Sequence, residues 1–125
     1  MAGNVNLANC SAFRTLAVGK EQVIAQGAFT WTAGGDISAS ASDDPALTVG
    51  NDTSTGVHPM TFPKCPEVRL AFQIISPSLT VSECIGTALD AAAGTATISL
   101  RKAGTATEMA SGDILHVTVY GKVSS

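Results

Sequence analysis

Cysteine, histidine and clustered aspartate are the side chains here with the reactivity for chemistry, and their spacing decides whether they act together. The cysteines are Cys10, Cys65 and Cys84, and the histidines are His58 and His116. A cysteine nucleophile needs a base beside it in space. Glu83 precedes Cys84, but nothing in the spacing pairs a histidine with a cysteine, so Cys84 reads as structural. A zinc site would call for C-x-x-C or H-x-x-x-H, and the chain has neither. Asp43, Asp44 and Asp52 could approach one another across two turns and hold Ca²⁺. They lack EF-hand or repeat spacing, and Asx bonds to the turn backbone are the better reading. The remaining carboxylates are scattered and identify no acid/base pair for glycoside hydrolysis. No glycine-rich loop opens a helix to cradle a phosphate. No catalytic residue, metal site or cofactor is expected, and the chain does not read as an enzyme.

Short strands would have to position whatever the chain presents. In Glu21 to Trp31 the alternation predicts Val23, Ala25, Gly27, Phe29 and Trp31 on one face, with the single tryptophan as a core or interface anchor. Thr32 to Asp36 reads as a turn, Ile37 to Ser42 as a short polar strand, and Ser42 to Pro45 as a second turn. Ala46 to Val49 is a further short strand. Thr55 to Phe62 sets Val57, Pro59 and Met60 against polar neighbours, and Pro59 makes it an edge or irregular strand. Glu67 to Ile75 follows, with Val68, Leu70, Phe72 and Ile74 on one side. Leu79 to Leu89 and Thr95 to Arg101 form the best hairpin candidate, linked by Asp90 to Gly94 with at most one helical turn. Lys102 to Gly112 reads as a loop. In the closing strand Leu115, Val117, Val119 and Val123 face one way and His116, Thr118, Tyr120 and Lys122 the other. The tetrapeptide Gly-Thr-Ala-Thr at Gly94 and again at Gly104 reads as biased composition rather than a repeat fold.

The expected fold is therefore all-β: an antiparallel β-sandwich or jelly-roll-like barrel of about seven or eight short strands. Residues 1–12 carry small and polar side chains without a period and read as an extended N-terminal arm, and 13–125 as a single domain. An odd cysteine count without close spacing is no disulfide framework. A Cys65–Cys84 bridge between neighbouring strands is one arrangement, and buried thiols are the one the count favours.

Bulk composition bears on partners. Of the 125 residues 14% are charged, against about 25% in an ordinary soluble domain. The surface must then be covered largely by Ala, Gly, Ser and Thr, as expected where other subunits cover it. A net charge of −3 with seven scattered Lys and Arg argues against sequence-independent nucleic-acid binding. No run of 18 apolar residues predicts a membrane span, and the N-terminus lacks the basic start and apolar stretch of a secretory signal. Synthesis and folding in a cytosol are expected.

The stretch Thr55-Gly56-Val57-His58-Pro59-Met60-Thr61-Phe62, then Leu89 to Ile98, the loop ending Ala110-Ser111-Gly112-Asp113, and the closing strand Ile114 to Tyr120 resemble small β-rich bacteriophage virion proteins. These include capsid decoration (cement) proteins and tail-fibre head domains. A similar sequence in that group reads Thr-Gly-x-Tyr-x-Val-x-Phe, and here His58 and Met60 stand at the aromatic and aliphatic positions. The resemblance covers a little over half the chain. It implies a non-enzymatic component of the virion, assembled in the host cytoplasm, often trimeric, with the major capsid protein as partner. On this reading a decoration protein clamps the joints between capsid subunits while Val5, Leu7 and Phe13 of the N-terminal region contact the shell. The alternative is a tail-fibre or receptor-binding (adhesin) module, and a third option is a small hydrolase or metal-dependent enzyme on a β scaffold.

Overall fold

A computed structural model describes residues 21–32 and 35–122. Their nine strands are β1 (Glu21–Trp31), β2 (Ile37–Ser42), β3 (Thr48–Val49), β4 (Val57–Thr61), β5 (Glu67–Ile75), β6 (Glu83–Asp90), β7 (Thr95–Lys102), β8 (Thr105–Ala106) and β9 (Ile114–Lys122). They form two antiparallel sheets, one ordered β2-β1-β9-β5 and the other β3-β4-β7-β6, with β8 added to β7. This is a β-sandwich, with one strand more than the seven or eight expected, because the two-residue β8 lies in a segment read as loop.

Alternation builds the core. Cross-strand partners share a face, so Phe29, Leu115 and Ile74 form one inward row, and Gly27, Val117 and Phe72 the next. Ala96, Ile98 and Leu100 of β7 face them from the second sheet and are buried. Trp31 is 1% exposed and is a core residue.

Four local expectations need correction. Val23 does not share the face of Ala25, because a register shift between Val23 and Ala25 adds a residue to β1. Val23 is left exposed and Ile24 packs against the core. β4 is not an edge strand: it lies between β3 and β7, and of Val57, Pro59 and Met60 only Met60 is buried, with His58 sharing its inward face. The strand expected from Leu79 begins only at Glu83. Leu79 has φ 58° and closes a turn on the Ser76 carbonyl. The Lys102–Gly112 loop contains β8, made by a two-residue connection in which Ala103 and Gly104 both have positive φ. That turn also gives the duplicated Gly-Thr-Ala-Thr a physical reading, since Gly94 and Gly104 are each a positive-φ residue from which a strand starts. Val123 and the arm of residues 1–12 lie outside the described residues.

Candidate functional site

Pro59 is the residue from which the buried polar centre follows. Gly50 lies opposite it, and the Gly50 N–H donates to the Pro59 carbonyl at 2.8 Å. In an antiparallel pair the return bond would run from residue 59 to the Gly50 carbonyl, but proline has no N–H. The neighbouring side chain supplies the missing donor: His58 Nδ1 sits 2.8 Å from the Gly50 oxygen. A carbonyl only accepts, so Nδ1 carries the proton.

The other ring nitrogen is equally committed. His58 Nε2 is 2.6 Å from Glu108 Oε1, a contact that requires one proton on the line between them. The Trp31 indole N–H donates toward the same nitrogen at 3.3 Å, with the two rings edge-on at 83°. Glu108 uses its second oxygen to accept the Gly56 N–H at 2.7 Å. Gly56 has φ 72°, and a Cβ there would meet two carbonyl oxygens at 2.7 and 2.8 Å, so only glycine fits. His58 is fully buried. A base with both nitrogens engaged and no exposed surface cannot take a proton from a substrate. This cluster ties β1, the β3–β4 connection and the segment after β8 together.

A second buried centre is Asp113, 1% exposed. Its carboxylate accepts Ser76 Oγ at 2.8 Å, Ser78 Oγ at 2.9 Å and the Ala110 N–H at 3.0 Å. Its backbone carbonyl accepts the Trp31 N–H at 2.9 Å. The effect is to brace the β5–β6 loop, whose tip holds Leu79 at 72% exposure, and Lys102 Nζ donates to the Leu79 carbonyl from the other side.

Among the described residues, the reactive side chains read from the sequence do not converge. Burial pushes the Cys84 thiol up to about 12, the opposite of an activated nucleophile. Cys65 and Cys84 are both free thiols. His116 is exposed on the outer face of the first sheet, beside a groove of about 290 Å³ that Gln26, Ala28, Ala41 and Asp43 also line. Asp43 accepts the Gln26 N–H of β1 at 2.9 Å and Asp44 the Ala46 N–H of its own turn at 2.8 Å, so both carboxylates are engaged by backbone. Val5, Leu7 and Phe13 lie outside the described residues. The sequence reading missed the roles of His58, Glu108 and Asp113. The one available signal was Pro59 inside a strand, which demands a substitute donor.

Exposed surface is where the molecule can meet a partner. On the outer face of the second sheet Thr48, Thr61 and Thr95 form one row, Pro59, Thr97 and Thr87 the next, and Val57, Ser99 and Ile85 a third. Charge returns only at the rims, with Asp90 at one end and Glu83 and Arg101 at the other. The outer face of the first sheet differs, because one end carries Glu21, Glu67, Arg69 and Lys122. There Arg69 binds Glu21 at 3.0 Å and lies 4.1 Å from the centre of the Tyr120 ring. That contact lowers the Glu21 carboxyl and raises the Arg69 guanidinium from their ordinary values, chiefly by the shared hydrogen bond.

No family model, curated protein or solved structure matches the chain.

Proposed function

We propose that the chain is a structural virion protein: a capsid decoration protein, working as a homo-oligomer (a trimer), that binds at joints between major capsid subunits. The observation that carries this reading is the uncharged outer face of the second sheet, three rows deep across four strands. A soluble monomer ordinarily keeps such a face charged, whereas a face of short Thr, Ser and Pro side chains docks flat against a lattice. Repetition by symmetry turns many modest contacts into firm attachment. The sealing of His58 and the raised Cys84 thiol fit a non-catalytic role. A sugar-binding fibre tip is the weaker reading: Trp31 is buried and Tyr120 lies under Arg69, which leaves little stacking surface.

The test is occupancy on purified shells. Thr97→Lys and Ile85→Lys place charge in the middle of the face and should reduce occupancy at least tenfold while the fold persists. Deleting residues 2–12 should also reduce it, through loss of Val5 and Leu7. Unchanged occupancy in the lysine variants removes the face from the mechanism, and unchanged occupancy in the deletion removes the arm.

A further inference from the structure

Nε2 of His58 has more claimants than it can serve. A ring nitrogen of imidazole presents either one proton or one lone pair. Nδ1 spends its proton on the Gly50 carbonyl, which leaves Nε2 as the atom free to change state. Glu108 Oε1 stands 2.6 Å from it and the Trp31 indole nitrogen 3.3 Å. The indole N–H can only donate and needs the lone pair, whereas the carboxylate needs a proton on the line. With that proton present, Nε2 is committed to Glu108 and the indole is the longer, weaker partner. Without it, the indole becomes the sole donor to Nε2, and Glu108 Oε1 faces a lone pair.

Charge decides which side gives way. Imidazolium and carboxylate together are neutral, but a bare imidazole beside the carboxylate leaves one negative charge in a site where His58 has no exposed surface. Gly50 holds the ring, and Trp31 is itself a core residue, so neither can turn to water. Glu108 can, because its side chain is 17% exposed. No second group compensates. Ile98 of β7 stands opposite His58. The Asp52 carboxylate, two residues past Gly50, lies against Gly35. Behind Trp31, the Asp113 carboxylate is taken up by Ser76, Ser78 and the Ala110 N–H. Among the described residues Glu108 is thus the one titratable partner of the ring.

We propose that this centre is a proton-operated latch. With a proton held between His58 Nε2 and Glu108 Oε1, Glu108 fastens the segment after β8 to the turn at Gly56, whose N–H its other oxygen accepts at 2.7 Å. As pH rises the proton leaves to water along Glu108, the Trp31 N–H takes over Nε2, and Glu108 swings outward and frees the Gly56 N–H. Met109 stays buried, so the release is a local swing and not an unfolding. Gly56 directly precedes β4, which contributes Val57 and Pro59 to the uncharged face. The latch operates whatever that face binds, so this inference and the proposed function stand or fall separately.

Trp31 is the sole tryptophan, so its fluorescence reports on this centre. Imidazolium quenches a neighbouring indole more strongly than imidazole does. Emission from the folded full chain should therefore rise at least 1.5-fold, in one step, as pH is raised from 4 to 9. Over the same range, ¹⁵N NMR of the parent chain should show Nδ1 of His58 keeping its proton while Nε2 loses its own. The Gly56 amide and Trp31 indole protons should shift at the same midpoint. Glu108→Gln keeps an acceptor for Gly56 and gives Nε2 a permanent donor, and it should flatten these signals, whereas His116→Gln should leave them as in the parent. An Nε2 that keeps one state from pH 4 to 9 overturns the proposal, as does a step that survives Glu108→Gln or disappears with His116→Gln. An Nε2 that titrates while the Gly56 amide stays still overturns the release of Glu108, and with it the latch. The parent spectra decide even where a variant fails to fold.

Discussion

The flank bounded by β2 and β3 and the flank bounded by β5 and β6 face the same problem, a sheet edge unpaired among the described residues, and solve it differently. On the first, the two sheets are laced together: the Ile37 N–H donates to Asn51 Oδ1 at 3.0 Å and the Asp52 N–H to the Gly35 carbonyl at 3.2 Å. Behind that lacing Trp31, His58 and Glu108 fill the interior with a polar cluster whose members are engaged. On the second flank the edges stand apart, the interior residues of β5 are half open, and Leu89 is 48% exposed. The difference teaches that the described residues form a domain finished on one side and awaiting cover on the other. Stability should reside in the closed flank and association in the open flank and the uncharged sheet face.

Substitutions that separate the two flanks follow, beginning with the largest effect. His58→Ala removes the donor to Gly50, strands Glu108 and Trp31, and opens a cavity. A loss of about 3–5 kcal/mol in denaturant unfolding is expected, as for breaking a buried pair. A loss below 1 kcal/mol would show that the closed flank is not where stability lies. Asp113→Ala should cost about 1–3 kcal/mol, because the Ala110 N–H and two serine hydroxyls lose a shared acceptor. It should also speed proteolysis in the β5–β6 loop.

The pH dependence of stability sharpens the contrast inside the core. The folded Cys84 thiol titrates at about 12, above its ordinary 9, because burial disfavours the thiolate. Between those values the unfolded chain has lost the proton and the folded chain has kept it. This contribution to stability is therefore complete below pH 9 and is lost as pH rises toward 12. Unfolding free energy measured from pH 8 to 11 should fall less steeply in Cys84→Ala than in the parent chain. Equal slopes would contradict the assignment.

The smallest effects belong to the surface. Leu79→Ser should change stability by no more than about 0.5 kcal/mol, since the side chain is exposed and the Asp113 brace acts on its neighbours. Arg69→Ala should leave the denaturant midpoint unmoved, because its bond to Glu21 is open to solvent and screened by salt. A large loss in either would mean that the open flank carries more of the fold than its exposure indicates.

Much of the fold was legible because alternation is a local signal. β5, β7 and β9 have inward faces that are simply their apolar residues, and the β6–β7 hairpin followed from the same pattern. Legibility failed where a single residue altered the count or the sign of the pattern. The bulge at Ile24 reversed Val23, and His58, a polar residue, occupied a core position that hydropathy assigns to Val57 and Pro59. Glu108 was invisible for another reason: it meets His58 across fifty positions of chain, and only the assembled sheets bring them together. The uncharged face was foreshadowed in composition, but its concentration on one sheet depends on the register between strands.

The most direct measurement is the copy number of this chain in intact, purified phage particles, by quantitative mass spectrometry against the major capsid protein. Hundreds of copies per particle, in simple proportion to the capsid subunit, are predicted. Absence of the chain from particles, or a few copies confined to the tail, would contradict a lattice-bound role on the head.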